Sequence, residues 1–462
     1  MNLNHLKSNF KNEKVHFIGI GGIGMSALAR YFYGFGSIVS GSDKEQSSLI
    51  NELTNEGINN IWTPHSDRLI GDIDPDYIIY STAITDSNEE LNWAKAKNKM
   101  ILHRSELLAL ATSSRKSIII SGTHGKTTTT ALISEMLINS DFDPSIIIGG
   151  ILVCKNTNAI AGKGDYFIVE GDESDKSFLK GNPDIAVITN IEADHLENYP
   201  GGFDEIKKSF IEFGKKGLAK NGLVICSDDK VASSLIDENF GANNSKLTFY
   251  GLNPSAQIRA VQNKNTKLWD IYSNNELTIS VKPRLPGSHN ILNALATFAV
   301  GQLIGVPLEK IKYTIENYSG VKRRFQIITQ ANGITVIDDY AHHPTEISAT
   351  IKSAKELNPK RLIAVLQPHQ PLRLRDLWYE FKKALSSEKD FPIFVTDTYI
   401  ARGKPIEGIS SKKLVEEVGN SNISYLSGSI EEIAAKLKTN IKSGDLVLIM
   451  GAGDITNLKN LL

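Results

Sequence analysis

The sequence predicts an α/β fold of three consecutive domains built on parallel sheets, with boundaries that give 1–110, 111–320 and 321–462. Three observations predict it. Two glycine turns, at 19–24 and 122–125, each lie between a β-branched apolar run and a segment with apolar residues at helical spacing. Strand–helix alternation then resumes after Gly320, at the run Lys322-Arg323-Arg324. The length, 462 residues, suits about three domains of ordinary size.

The bulk composition excludes several classes. With 51 basic and 52 acidic residues the net charge is −1, so no field draws the chain to nucleic acid or to a membrane surface, and neither is an expected partner. Cys154 and Cys226 stand far apart and fit neither a disulfide framework nor a zinc site; both read as core thiols of a reducing compartment. The first 14 residues are too polar for a signal peptide, and no apolar run approaches ~20 residues. The expectation is a cytoplasmic protein.

In the first domain, Val15–Ile20 reads as a strand and Met25–Tyr33 as a helix, with Gly19-x-Gly21-Gly22-x-Gly24 between them. Asp43 ends the next strand, at the spacing of a ribose-binding acid. This is a dinucleotide fingerprint in its required context, and alone it favours an NAD-dependent dehydrogenase. The glycines admit any nucleotide diphosphate, however, since they only let a pyrophosphate approach the backbone. Further strands at Tyr77–Tyr80 and Met100–Leu102 end in Ser81-Thr82 and His103-Arg104, where a doubly wound sheet places its ligand. His65 lies in a connection at the same edge, with a solvated loop histidine as the plainer reading.

The central domain opens on Ser117–Ser121, a buried-type strand, followed by Gly122-Thr123-His124-Gly125-Lys126-Thr127 and a helix. Strand, glycine turn and helix N-terminus make an anion site: backbone N–H groups and the positive end of the dipole point at one spot. Lys126 can reach β- and γ-phosphates, and the Thr127 hydroxyl can ligate Mg²⁺. This predicts a nucleoside triphosphate loop in a P-loop ATPase-type parallel sheet. The loop is shorter than the general pattern, because Ile120 stands where the first glycine is usual. Beyond it, Tyr166–Glu170 and Ile185–Asn190 read as buried strands ending in Glu170 and in the run to His195, residue types that a Mg-ATP site uses. Glu173 and Asp175 read as a solvated acidic loop, Asn263–Asn275 as a polar turn region. Asn290 and Asn293 share one helical face.

In the third domain, Thr335–Ile337 leads into Asp338-Asp339-Tyr340-Ala341-His342-His343-Pro344, a strand end followed by a proline that starts a helix. Leu362–Leu366 precedes Gln367-Pro368-His369-Gln370-Pro371-Leu372-Arg373, and Leu446–Met450 precedes the turn Gly451–Gly453, to which no chemistry is assigned.

Taken in order, these motifs resemble the Mur ligase superfamily, the ATP-dependent amide-forming enzymes of peptidoglycan synthesis. The resemblance rests on GTHGKTTTT in the loop and on GIGGIGMSALA, GSD, PHS, STAI and HRSELLALA before it. VEGDESDKSFL, TNIEADHLENY and GVKRRFQ follow, so it spans nearly the whole chain. It implies that the first, Rossmann-like domain binds the UDP of a sugar nucleotide through Gly19, Gly21, Gly22, Gly24, Asp43, His65, Ser81, Thr82 and Arg104. It implies ATP at Gly122, Thr123, His124, Gly125, Lys126, Thr127, Thr128, Asn290, Asn293, Arg324 and Asp339. Magnesium would be held by Thr127, Glu170 and His195, although a histidine is an unusual partner for that ion. Lys126, Glu170, His195, Arg324 and Asp339 would be catalytic, in a reaction that passes through an acyl phosphate. The last domain, Rossmann-like again, would bring the amino acid to His343 and Arg373.

Within the family, the GMS after the first glycines fits the branch that joins L-alanine to UDP-N-acetylmuramate, as a monomer or weak homodimer. A branch that recycles murein tripeptide is the alternative. Gln370 stands where an arginine is usual, so either Arg373 carries more of the amino-acid carboxylate or the acceptor differs. Outside the family, a dehydrogenase leaves GTHGKT and the acidic strand ends unexplained.

Overall fold

Runs of branched apolar residues that can bury both faces of a parallel strand, each followed by a helix, account for the architecture. The structure, a computed structural model, describes residues 10–329, 333–401 and 404–462. The polar lead 1–9, part of the segment read above as no signal peptide, lies outside the described residues. Two compact units form, one from the chain up to Arg284 together with Leu292–Ser319, the other from Leu285–Ile291 and Gly320–Leu462.

The first unit holds two sheets. β1 (Lys14–Ile18), β2 (Ile38–Ser42), β3 (Asn60–Trp62), β4 (Tyr77–Tyr80) and β5 (Met100–His103) pair in parallel in the order β3-β2-β1-β4-β5. The order reverses between β1 and β4, and the first glycine turn leaves β1 at that switch point. The second sheet has ten strands. They are β6 (Lys116–Ser121), β7 (Ser145–Leu152), β8 (Thr157–Ile160), β9 (Tyr166–Glu170), β10 (Ile185–Ile188), β11 (Gly222–Cys226), β12 (Leu247–Gly251), β13 (Ile258–Gln262), β14 (Trp269–Ser273) and β15 (Glu276–Val281). Their order is β15-β14-β13-β12-β11-β10-β6-β9-β7-β8. β6, buried from Ser117 onward, lies between parallel neighbours β10 and β9. Antiparallel pairs close both ends of the sheet.

Two expectations change here. The stretch 263–275 is not all turn: Trp269–Ser273 is a strand whose Ile271 is 1% exposed, and only its polar flanks bend. The alternation Trp-Asp-Ile-Tyr-Ser suits an edge hairpin with one buried face. Of the two cysteines, Cys226 is buried as expected, but Cys154 is exposed, in the turn between β7 and β8.

The second unit holds six strands, β16 (Gln326–Thr329), β17 (Thr335–Asp339), β18 (Arg361–Leu366), β19 (Ile393–Val395), β20 (Ile423–Tyr425) and β21 (Asp445–Met450). Their order is β16-β17-β21-β18-β19-β20, with β16 antiparallel at the edge. Separate apolar clusters cover the two faces, one around Phe381 and Leu448, the other around Val447 and Ile449. Among the described residues no helix is long and apolar enough to cross a membrane.

Polar contacts around Arg30 help to tie the two sheets of the first unit. Arg30, on the helix Ile23–Gly34 that follows the first glycine turn, reaches Glu56 at 2.7 Å and Asn158 Oδ1 on β8 at 2.5 Å. Asn158, fully buried, donates in turn to the Ile23 carbonyl at 2.8 Å. We expect Arg30→Met to strand the Asn158 oxygen and to destabilise the first unit by about 1–3 kcal/mol, read as a lower urea midpoint.

Candidate active site

The second glycine turn is built by close approach. Gly122 has φ +140°, and a Cβ there would stand 2.1 Å from Thr189 Oγ1; Gly125 has φ +79°, and its Cβ would stand 2.7 Å from Asn293 Oδ1. Both positions exclude a side chain. Asn190, just past β10, braces the turn: its carbonyl accepts the Thr123 N–H at 3.1 Å and its Oδ1 accepts the His124 N–H at 2.7 Å. Thr189 Oγ1 and Asn190 Nδ2 both donate to the His124 carbonyl, at 2.7 and 2.9 Å. The helix Lys126–Asn139 then begins, and its first internal bond runs from the Thr129 N–H to the Gly125 carbonyl at 2.9 Å. The N–H groups of Lys126–Thr128 precede that ladder, as an anion site requires.

Lys126 folds back over the turn. Its Nζ donates to the Gly122 carbonyl at 2.6 Å, the Thr123 carbonyl at 2.9 Å and Glu173 Oε1 at 2.8 Å. Burial works against its charge, but Glu173, Glu170 and Asp172 together outweigh burial and hold the ammonium above its ordinary pKa. Burial likewise pushes the Glu173 carboxyl up against the pull of Lys126. With three acceptors around the ammonium, the proton of the pair stays on Lys126. Thr127 Oγ1 donates to Glu170 Oε1 at 2.7 Å, and Glu170 Oε2 accepts the Gly149 N–H at 2.7 Å. Asn293 Oδ1 accepts from Thr129 at 3.1 Å beside Gly125.

The acidic loop after β9 is not the solvated segment expected. Glu173 is 6% exposed, and Asp175 with Asp172 grips Arg104 Nη2 at 2.9 and 3.0 Å. Arg104 also lies against the first glycine turn, since a Cβ on Gly24 would meet its Nη1 at 3.3 Å. Sequence reading missed Glu173 and Asp172 as site residues. The available signal was their place directly after a buried strand, the same one that marked Glu170.

Magnesium fits part of its expected set. Thr127 and Glu170 converge as oxygen donors, which that ion prefers. Among the described residues the buried Glu173 Oε2 has no hydrogen-bond partner, a deficit that a bound cation would satisfy. His195 has its Nε2 3.6 Å from Asp194 and backbone φ +53°. Among the described residues no cluster of three His, Cys, Asp or Glu side chains is disposed to hold a metal.

At the first glycine turn, Asp43 clamps the backbone, accepting the Gly21 N–H at 2.8 Å. The Ser42 carbonyl accepts the Gly19 and Ile20 N–H groups at 2.7 and 3.0 Å, and the Gly22 N–H closes onto the Gly19 carbonyl at 3.2 Å. The turn after β4, with Ser81 and Thr82, brings Ile84 against Gly19. His65 Nδ1 lies 2.8 Å from Ser42 Oγ.

In the second unit, Asp339 accepts the Phe325 and Ala341 N–H groups at 2.6 and 2.7 Å, and burial pushes its carboxyl up to about 6 against the pull of Arg324. Arg324 and Arg323 both lie over the Tyr340 ring, at 5.0 and 4.9 Å, and Arg323 also holds the carbonyls of Gly451 and Gly453. The turn given no chemistry is thus a brace. His343 caps the helix Pro344–Glu356 through its own ring nitrogen. His342 and His369 meet edge to face at 5.6 Å, and burial lowers both to about 4, with Arg373 beside them adding to the effect. Asn290 turns its amide to the Pro286 carbonyl at 2.6 Å.

Two glycine loops in one unit, the second armed with a lysine, a hydroxyl and carboxylates, define an α/β enzyme that handles nucleotide phosphates. The chain belongs to the Mur ligase family. Residues 14–116, 120–301 and 323–453 match in turn the models of the Mur ligase catalytic domain, middle domain and glutamate ligase domain. A UDP-N-acetylmuramate–L-alanine ligase of Geobacter sulfurreducens is 40% identical over 458 residues, covering 96% of each chain. The crystal structure of the UDP-N-acetylmuramate-alanine ligase of Thermotoga maritima superposes with TM-score 0.81 at 28% identity, covering 97% of each chain. A murein peptide ligase of Psychrobacter arcticus shares the fold at TM-score 0.70 and 22% identity, over 97% of this chain and 98% of its own.

Two outcomes are expected. Gly125→Ala forces a left-handed alanine into Asn293 and should weaken nucleoside triphosphate binding about tenfold or more in calorimetry. Folding raises the Asp339 pKa from 3.8 to about 6, so the folded chain binds that proton more tightly and stability falls as pH rises across this interval. The fall amounts to about 3 kcal/mol, and Asp339→Asn should remove it from urea unfolding curves taken across that range.

Proposed function

We propose that this chain is an ATP-dependent ligase that joins L-alanine to the lactoyl carboxylate of UDP-N-acetylmuramate, as its relatives' names describe. The observation that carries the reading is the convergence of Lys126, Thr127, Glu170 and Glu173 on the second glycine turn, in the same unit as a first turn suited to a nucleotide diphosphate. The domain boundaries of the reading are 110/111 and 320/321. It places the enzyme in the cytoplasm, where ATP is made, as a monomer or weak homodimer.

The lactoyl carboxylate attacks the γ-phosphorus of ATP, giving an acyl phosphate and ADP. The neutral amine of L-alanine then attacks the acyl carbon, and phosphate leaves. The protein's work in the first step is positioning and charge stabilisation. Gly122–Gly125 and the helix start cradle the phosphates through Thr123, His124 and Thr128, and Lys126 leaves Glu173 to meet the γ-phosphate. Magnesium at Thr127 and Glu170, with His195 as the further partner, would neutralise charge on the β- and γ-phosphates. Gly19, Gly21, Gly22, Gly24, Asp43, His65, Ser81, Thr82 and Arg104 take the UDP-sugar. Arg324 stabilises the transferring phosphoryl group, Asp339, Asn290 and Asn293 serve the nucleotide, and His343 and Arg373 serve the amino acid. The second step requires a dry site, because water would hydrolyse the acyl phosphate.

The test is phosphate release from Mg-ATP with UDP-N-acetylmuramate and, separately, L-alanine, glycine, L-serine or murein tripeptide. Release that needs both the sugar nucleotide and L-alanine supports the reading and shows Gln370 to be tolerated. Preference for the tripeptide moves the chain to the recycling branch. Lys126→Ala should lose about 2–4 kcal/mol of transition-state stabilisation in kcat/KM. A variant that turns over like the wild type would sink the role given to that loop.

A further inference from the structure

A second set of titratable side chains is buried at the carboxyl end of the first sheet, and the chemistry above leaves most of it unused. Glu90 lies in the first turn of the helix Glu89–Ala96, with its side chain fully buried. Its carboxylate nevertheless accepts from Trp62 Nε1 on β3 at 2.8 Å, from the Ser66 N–H at 2.8 Å and from the Ser42 hydroxyl at the end of β2. His16 Nε2 on β1 lies 3.3 Å away. His65 Nδ1 stands 2.8 Å from Ser42 Oγ and 3.6 Å from Glu90.

Counting protons fixes the direction of these bonds. An ionised carboxylate only accepts. Ser42 therefore gives its one hydroxyl proton to Glu90, and its oxygen accepts from His65 Nδ1–H. His16 donates through Nε2–H, and its Nδ1, 3.0 Å from Ser40 Oγ, takes the Ser40 proton. His65 is thereby set in one orientation with Nε2 as its remaining polar atom. The backbone of Ser42, the same residue that orients His65, accepts the Gly19 and Ile20 N–H groups of the glycine turn.

A buried carboxylate is an expensive tie among strands unless its charge has a use, since taking an ion from water costs several kcal/mol. Here the charge acts on His65. The bond network to Glu90 raises the His65 pKa against the effect of burial, and Asp43 after β2 and Glu89 on the Glu90 helix act in the same direction. His16, on β1, adds no opposing charge, because burial lowers its own pKa.

We propose that Glu90 is a positioning residue which, through Ser42, sets His65 to present Nε2 to the diphosphate of the sugar nucleotide at the first glycine turn. The inference rests on the sugar-nucleotide reading of that turn. It assigns Glu90 no contact with the substrate.

The test is calorimetric binding of UDP-N-acetylmuramate from about pH 6 to pH 9, the range in which a raised histidine titrates. Its diphosphate is a diester with no proton to lose there, and its uracil N3–H ionises only at the alkaline end of the range, so pH dependence around neutrality reports on the protein. Wild-type affinity should fall as pH rises. In Ser42→Ala and Glu90→Gln the fall should move to lower pH, with affinity near neutrality about tenfold weaker. In both variants ATP binding at the second turn should hold. His65→Gln should lose the pH dependence. Thermal unfolding monitors the fold, and if Glu90→Gln does not fold, Ser42→Ala decides. Wild-type affinity and pH profile in folded Ser42→Ala, or a retained profile in His65→Gln, overturns the proposal. A wild type that binds no UDP-N-acetylmuramate at any pH removes the sugar-nucleotide reading and this inference with it.

Discussion

The ammonium of Lys126 is the charge on which the nucleotide-binding loop depends. Two carbonyls of the turn and Glu173 close on it, so one cation both folds the turn over itself and stabilises a carboxylate that burial would otherwise penalise. Glu173 is fixed from behind as well, because the Tyr199 hydroxyl donates to its carbonyl. Its neighbours Asp172 and Asp175 hold Arg104, and Arg104 rests against Gly24. A short run of contacts thus joins the two glycine turns inside one unit. A triphosphate arriving at the second turn has to replace Glu173 as the acceptor for Lys126.

Contacts within the chain shape the turn itself. Asn190 holds the N–H groups of Thr123 and His124 in hydrogen bonds, and Gly122 and Gly125 sit where no side chain fits. The helix start beyond them offers its own N–H groups to phosphate oxygens. Pre-organisation of this kind reduces the ordering that binding would otherwise require.

What could be read from the sequence follows from how local its causes are. Strands buried on both faces declare themselves as apolar runs, so Tyr77–Tyr80 and Tyr166–Glu170 come out with the bounds the sequence suggests. The run ending at Asn190 stops as a strand at Ile188, because Asn190 turns its carbonyl and amide to the glycine turn. Which partners Glu173 and Asp175 take was illegible for the opposite reason. Their partners Lys126 and Arg104 lie 47 and 71 positions away, and such pairing leaves no local pattern. Glu90 is concealed differently: an acid in the first turn of a helix is ordinary on dipole grounds, and only the fold shows it turned inward. His342 and His369 similarly gain their neutral character from burial, which neither motif announces.

The exposed Cys154 makes the chain chemically addressable. The other cysteine, Cys226, is 2% exposed; burial pushes the Cys154 thiol up to about 11, so a maleimide dye added to the native protein at alkaline pH reacts at a single place. That place is the hairpin turn after β7, and β7 carries Gly149, whose N–H is bonded to Glu170. A fluorophore there is attached to the strand that touches the carboxylate beside Thr127. It gives a built-in optical reporter of what happens at the phosphate loop, with no cysteine to engineer in and none to remove.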